Sequence, residues 1–83
     1  MSTNIYVGNL AFSTNSADLE ALFAEHGEVS RAQVITDRDT GRSRGFGFVE
    51  MASADEANAA MRALNGRNVD GRDLKVNQAK ERS

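Results

Sequence analysis

Apolar and polar residues alternate in four stretches of this 83-residue chain, and in two others the apolar spacing lengthens to that of a helix. Strand side chains change face at every residue, whereas neighbours on one helix face recur at three and four. Asn4 to Gly8 reads as a first strand, with Ile5 and Val7 on one face and Asn4 and Tyr6 on the other. Asn9 to Ser13 is a connection in which Leu10 and Phe12 are expected to tuck against the core. Leu19, Leu22 and Phe23 then follow a helical stripe, capped by Asn15 with Asp18 three residues on and closed by Gly27. Alternation returns from Val29 to Thr36, with Ala32 and Val34 on one face and Gln33 and Ile35 on the other. A polar loop from Asp37 to Ser43 leads directly into the octamer Arg44-Gly45-Phe46-Gly47-Phe48-Val49-Glu50-Met51, so strand, loop and strand make a hairpin. Ser53 opens a second helix, with Glu56 completing a capping box and Ala57, Ala60, Met61 and Leu64 forming the stripe that Asn65-Gly66 ends. Asn68-Val69 is a short strand, Asp70-Gly71 a tight turn, and Leu74 and Val76 alternate with Lys75 and Asn77 in a last strand.

The order β-α-β-β-α-β predicts an α+β, ferredoxin-like sandwich: a four-stranded antiparallel sheet with two helices on one face. The length allows one domain over 1–83, with a core of about 4–79 and a short C-terminal tail at 80–83.

Within that frame the octamer sets the function. One parity holds Arg44, Phe46, Phe48 and Glu50; the other holds Gly45, Gly47, Val49 and Met51. Two phenylalanines in a strand ordinarily face a core, but here the same face would bury Arg44 and Glu50, which are rarely buried unpaired. The uncharged parity is the better core face, and its glycines would let a helix pack close against the sheet. The phenylalanines therefore face outward. With the other outward positions they assemble a face of Asn4, Tyr6, Gln33, Ile35, Arg44, Phe46, Phe48, Glu50, Lys75 and Asn77, which carries three of the chain's five aromatic residues. So apolar an open face calls for a ligand. Rings beside an arginine suit a planar, negatively charged polymer.

Charge changes this picture only in its distribution. The net charge is −2, unexpected for a nucleic-acid binder. Residues 1–28 hold four acids and no Lys or Arg, whereas residues 29–83 hold ten bases and eight acids. A first helix behind the sheet would carry the excess acid away from the aromatic face. Forty per cent of residues are apolar, yet no run approaches a membrane span, and the N-terminus lacks the pattern of a secretory leader. The chain has no cysteine, which excludes disulfides and thiolate chemistry and suits a cytoplasmic location. His26 is the only histidine, too little for a metal site or for acid–base catalysis. Gly45-x-Gly47-x-x-Glu50 lacks the last glycine of a dinucleotide fingerprint and lies within a strand. Asp37-x-Asp39-x-Gly41 fails as a calcium loop, with Gly at the fifth position and Phe48 at the twelfth. No cofactor, metal, membrane or small-molecule substrate is expected, and no enzymatic activity.

The octamer fits seven of the eight positions of the nucleoprotein consensus K/R-G-F/Y-G/A-F-V-x-F/Y, departing only at Met51, a core position by parity. Ile5-Tyr6-Val7-Gly8-Asn9-Leu10 resembles the second, shorter motif of the same family. The chain thus resembles an RNA-recognition motif domain over nearly its whole length, and is similar to the short single-domain RNA-binding proteins of cyanobacteria and other bacteria. That resemblance implies adjacent central motif strands, and single-stranded RNA held by stacking. Tyr6 and Phe48 would stack successive bases while Phe46 packs against the sugars between them. Arg44 would meet a phosphate, and Asn4, Gln33, Ile35, Glu50, Lys75, Asn77 and Lys80 would supply the remaining contacts, with Arg38 and Arg42 able to close over the strand from the loop. Two stacking contacts support affinity of roughly micromolar order. A monomeric post-transcriptional regulator or RNA chaperone is implied. Its bacterial relatives are often linked to cold response, some with a glycine-rich tail that this sequence lacks. The rival readings are single-stranded DNA binding and a protein-interaction module; residues 8–15 carry no Arg or Lys, against a phosphate-cradling enzyme on this fold.

Overall fold

The computed structural model describes residues 3–69 and 71–79. Its elements follow the order β1 (Thr3–Gly8), α1 (Ser16–Ala24), β2 (Val29–Thr36), β3 (Ser43–Met51), α2 (Ala54–Leu64), β4 (Asn68–Val69), β5 (Arg72–Asp73) and β6 (Lys75–Gln78). Four strands form one antiparallel sheet in the order β2-β3-β1-β6, and β4 and β5 pair as a separate small hairpin. The two strands that carry the sequence motifs are adjacent at the centre, as the resemblance implied. The expected turn at Asp70, the candidate Lys80 and the tail at 80–83 lie outside the described residues.

One apolar layer joins the sheet to both helices. Ile5 and Val7 of β1, Val34 of β2, Val49 and Met51 of β3 and Val76 of β6 are buried against Leu19 and Phe23 of α1 and Ala57, Ala60 and Leu64 of α2. Met51 is fully buried, in keeping with its parity. The alanines of α2 let that helix approach closely, while Phe23 fills the space under α1. The molecule is only 18 Å across its shortest axis, room for one sheet and one layer of helices.

Both helix starts follow the sequence, the second with a difference. At α1 the Asn15 side chain accepts from the Asp18 N–H at 2.8 Å and the Asp18 carboxylate accepts from the Asn15 N–H at 3.2 Å, a complete capping box. At α2 the Ser53 hydroxyl accepts from the Glu56 N–H and donates to the Glu56 carboxylate at 3.0 Å. The other Glu56 oxygen accepts from the Glu28 N–H at 2.6 Å, so the carboxylate ties the α1–β2 connection to α2. This contact corrects the reading of Gly27. Helix α1 ends at Ala24 with Glu25 as its cap in ordinary helical geometry, and Gly27 does not adopt the left-handed conformation of a helix terminator. A Cβ at Gly27 would instead collide with the Glu56 side chain.

The octamer's glycines also answer to constraints within the sheet itself. At Gly47 a Cβ would lie 3.0 Å from the Val34 Cα and nearer still to the Gln33 carbonyl oxygen, so the backbone of β2 excludes a side chain there. Gly45 has φ of 85°, within an irregular stretch where β3 has more residues than β2 between the pairs Val34–Gly47 and Thr36–Ser43. Such a conformation is strained for residues with a Cβ and marks a bulge.

Candidate nucleic-acid interface

The register builds the open face as rows running across the strands. The central row is Gln33, Phe48, Tyr6 and Asn77, one residue from each strand of the sheet. On one side of it lie Arg31, Glu50 and Asn4; on the other, Phe46, Gly8 and Lys75. Tyr6, Phe46 and Phe48 form a triangle with centroid separations of 5.9–6.1 Å. Tyr6 is tilted by 35° from Phe46, and Phe48 stands edge-on to both. These are favourable aromatic geometries, so the rings hold one another in place before any ligand arrives. Phe48 is the most open of the three, at 41% exposed, while Tyr6 and Phe46 are half-buried.

Gly8 makes the surface flat. It shares the outward face with Tyr6, and the Tyr6 ring lies over it: a Cβ at Gly8 would come within 2.6 Å of the phenolic oxygen. The motif contained Gly8, but only the ring's lean along the strand reveals its part in the site.

Arg31 is a second residue the pattern missed. Strict alternation would put Val29 and Arg31 on one face. The register shifts between them, so that Val29 pairs with Met51 and packs against the core while Arg31 pairs with Glu50 on the open face. The signal was the clash itself, an apolar and a charged residue at one parity.

Arg44 lies beyond the irregularity at Gly45, exposed at the hairpin end of the sheet. Its guanidinium acts on Asp37, whose carboxyl sits below the usual carboxylate range. The main causes are the Asp39 and Thr40 amides, and Arg44 adds to them. The Asp39 N–H reaches the same Asp37 oxygen at 2.8 Å and the Thr40 N–H at 3.3 Å. Asp37 thereby folds the loop that carries the exposed Arg38 and Arg42. Ile35 is half-buried on β2 beside this irregular stretch.

Phe12 does not tuck under the core. It is 73% exposed, with the Arg72 guanidinium 5.8 Å from its ring centre. Leu10 alone carries the core contact, and its N–H donates to the Gly45 carbonyl at 2.8 Å, fixing the connection to the end of β3. Among the described residues no cluster of three or more His, Cys, Asp or Glu side chains suits a metal ion, and no helix is long and apolar enough to cross a membrane.

Comparison with known proteins bears on this surface. Residues 5–75 match the sequence model of the RNA recognition motif. The chain is 58% identical over 79 residues to the RbpA protein of Synechocystis sp., covering 95% of this chain and 78% of that one. It is 57% identical over 79 residues to RNA-binding protein CP31B, chloroplastic, of Arabidopsis thaliana, where the match covers 95% of this chain but only 27% of the relative. The crystal structure of RNA Binding Protein PG1 superimposes with a TM-score of 0.93 at 49% identity, covering 98% of each chain.

Proposed function

The chain belongs to the RNA recognition motif family, and on that premise we propose that it binds single-stranded RNA through the open face of its sheet, without catalysis. The aromatic triangle at the centre of an uncovered sheet carries this reading. Tyr6 and Phe48 offer ring faces to successive bases, Phe46 packs on the sugars between them, and Arg31, Arg44 and Lys75 meet phosphates around the rings. Asn4, Gln33, Glu50 and Asn77 have hydrogen-bonding groups beside the rings, where base preference arises. Ile35, Arg38 and Arg42 border that surface, and Lys80 follows the last strand in sequence. The names of CP31B and PG1 as RNA-binding proteins support the same chemistry. Stacking does not need a 2′-hydroxyl, so DNA of the same sequence binds more weakly but measurably. The protein works as a monomer, in a cytoplasmic compartment, as a post-transcriptional regulator or RNA chaperone.

Fluorescence-anisotropy titration with short single-stranded RNAs of different base composition tests this reading. The Phe46→Ala, Phe48→Ala double variant should remain folded and bind at least about tenfold more weakly, from roughly 1–3 kcal/mol per stacked base. Undiminished binding by the folded variant would remove the sheet face as the site.

A further inference from the structure

Beyond the sheet, the β1–α1 connection presents an aromatic surface with its own cations. Phe12 keeps 73% of its surface exposed even with Arg72 beside its ring. On another side Phe12 borders an open groove of about 440 Å³ with Gly41, Arg42 and Ser43 of the β2–β3 hairpin. A volume of that order lies within the range of small-ligand sites, about 300–1,000 Å³. The surface is held in place. Asn9 Nδ2 donates to the Asp73 carbonyl at 2.7 Å, Arg72 Nη1 reaches the Leu10 carbonyl at 3.5 Å, and the Leu10 N–H is bonded to Gly45. A guanidinium carries five N–H donors, and that contact engages one nitrogen of Arg72.

The surface also lies within a short length of chain of the aromatic triangle. Gly8 lies opposite Phe46, and the four residues of chain from Gly8 to Phe12 span at most about 14 Å. A polynucleotide leaving the Phe46 end of the sheet has this ring within reach, with Arg72 beside it and Arg42 in the same groove. Two of the nearby acids accept hydrogen bonds within their own hairpins. Asp37 accepts from two amides of its own loop, and Asp73 accepts from Asn68. We propose that Phe12, flanked by Arg72 and Arg42, is a further stacking position that receives one more nucleotide of the same RNA strand. The ring takes the base and the guanidiniums take its phosphates. This inference rests on the sheet face being the RNA site.

Oligonucleotides of one base composition, from about 4 to about 12 nucleotides, separate the two sites by length. The expected result has Phe12→Ala matching the unaltered protein on the shortest RNAs and binding the longer ones at least about fivefold more weakly. Phe12→Leu, which keeps apolar bulk without a ring, should lose as much; Phe12→Tyr should retain the affinity. Ultraviolet crosslinking should attach the long RNA to the peptide containing Phe12. If the unaltered protein binds no RNA of any length, the sheet-face reading fails and this one with it. If it binds and the Phe12 variants match it throughout, or lose equally on short and long RNA, only the further position is overturned. A protein ligand for Phe12 would then be the reading to pursue.

Discussion

Single residues divide into those that hold the sheet and those that shape its open surface, and two glycines of the motifs separate the classes. At Gly47 a methyl group would meet the backbone of β2, which cannot swing aside. Gly47→Ala should therefore destabilise the fold by about 1–3 kcal/mol, read from urea denaturation. At Gly8 the obstruction is the far end of the Tyr6 side chain, which can move. Gly8→Ala should leave the denaturation midpoint nearly unchanged and weaken RNA binding several-fold, because the displaced ring no longer lies flat on the strand. The reverse pattern, stability lost at Gly8 and binding at Gly47, would contradict both assignments. The aromatic positions were legible in the sequence because a strand gives each residue only two faces and one face was closed to Arg44 and Glu50. The task of Gly47 was not, since it depends on how near the neighbouring strand lies.

At the scale of elements, the β2–β3 hairpin shows where pattern reading succeeds and where it stops. Its strands and loop were readable from alternation and turn residues. Its two register shifts were not: one sends Val29 inward while Arg31 keeps the outward parity of Gln33, and the other falls on the stretch that holds Arg44 and Gly45. Phe12 was misread for a related reason: a connection has no period to fix a side chain's direction, so hydrophobicity suggested burial. Hydrogen bonds to one carboxylate govern the hairpin's loop. The amides of Asp39 and Thr40, aided by Arg44, lower the folded-state titration of Asp37. A lowered carboxylate contributes stability that is complete above the unfolded-chain value of about 4 and is lost as the pH falls through the lower folded value. Carboxyl NMR titration should place Asp37 below an ordinary aspartate, and amide exchange at Asp39 and Thr40 should rise through that same interval. An unshifted Asp37 would remove the loop's acid sensitivity.

Over the whole molecule, charge is divided unevenly between the layers, with Arg62 on α2 and Glu50 on the sheet as exceptions. The acids Asp18, Glu20 and Glu25 belong to α1 and its cap, on the helical side, whereas Arg31, Arg44 and Lys75 belong to the sheet. A net charge of −2 is thus compatible with a locally cationic sheet face. Few cations share that surface, so salt dependence should be shallow. For RNAs too short to reach Phe12, two to three phosphates contacted correspond to a slope of about −1.5 to −2 for log affinity against log salt on a single strand. A much steeper slope would place the RNA on cations outside the sheet face.

The borders of the sheet bear on how the molecule coexists with its copies. β2 and β6 are its outer strands, and each has a backbone donor occupied from a helix: the Val34 N–H by the Ser16 hydroxyl at 3.0 Å and the Val76 N–H by the Asn65 side chain at 3.2 Å. A protein that leaves one broad face uncovered for its ligand already risks sticking to its neighbours through that face. Unblocked outer strands would add a second hazard, since they template the growth of fibrils. With one donor on each border already taken, a strand added there would find that rung missing, while the open face stays free.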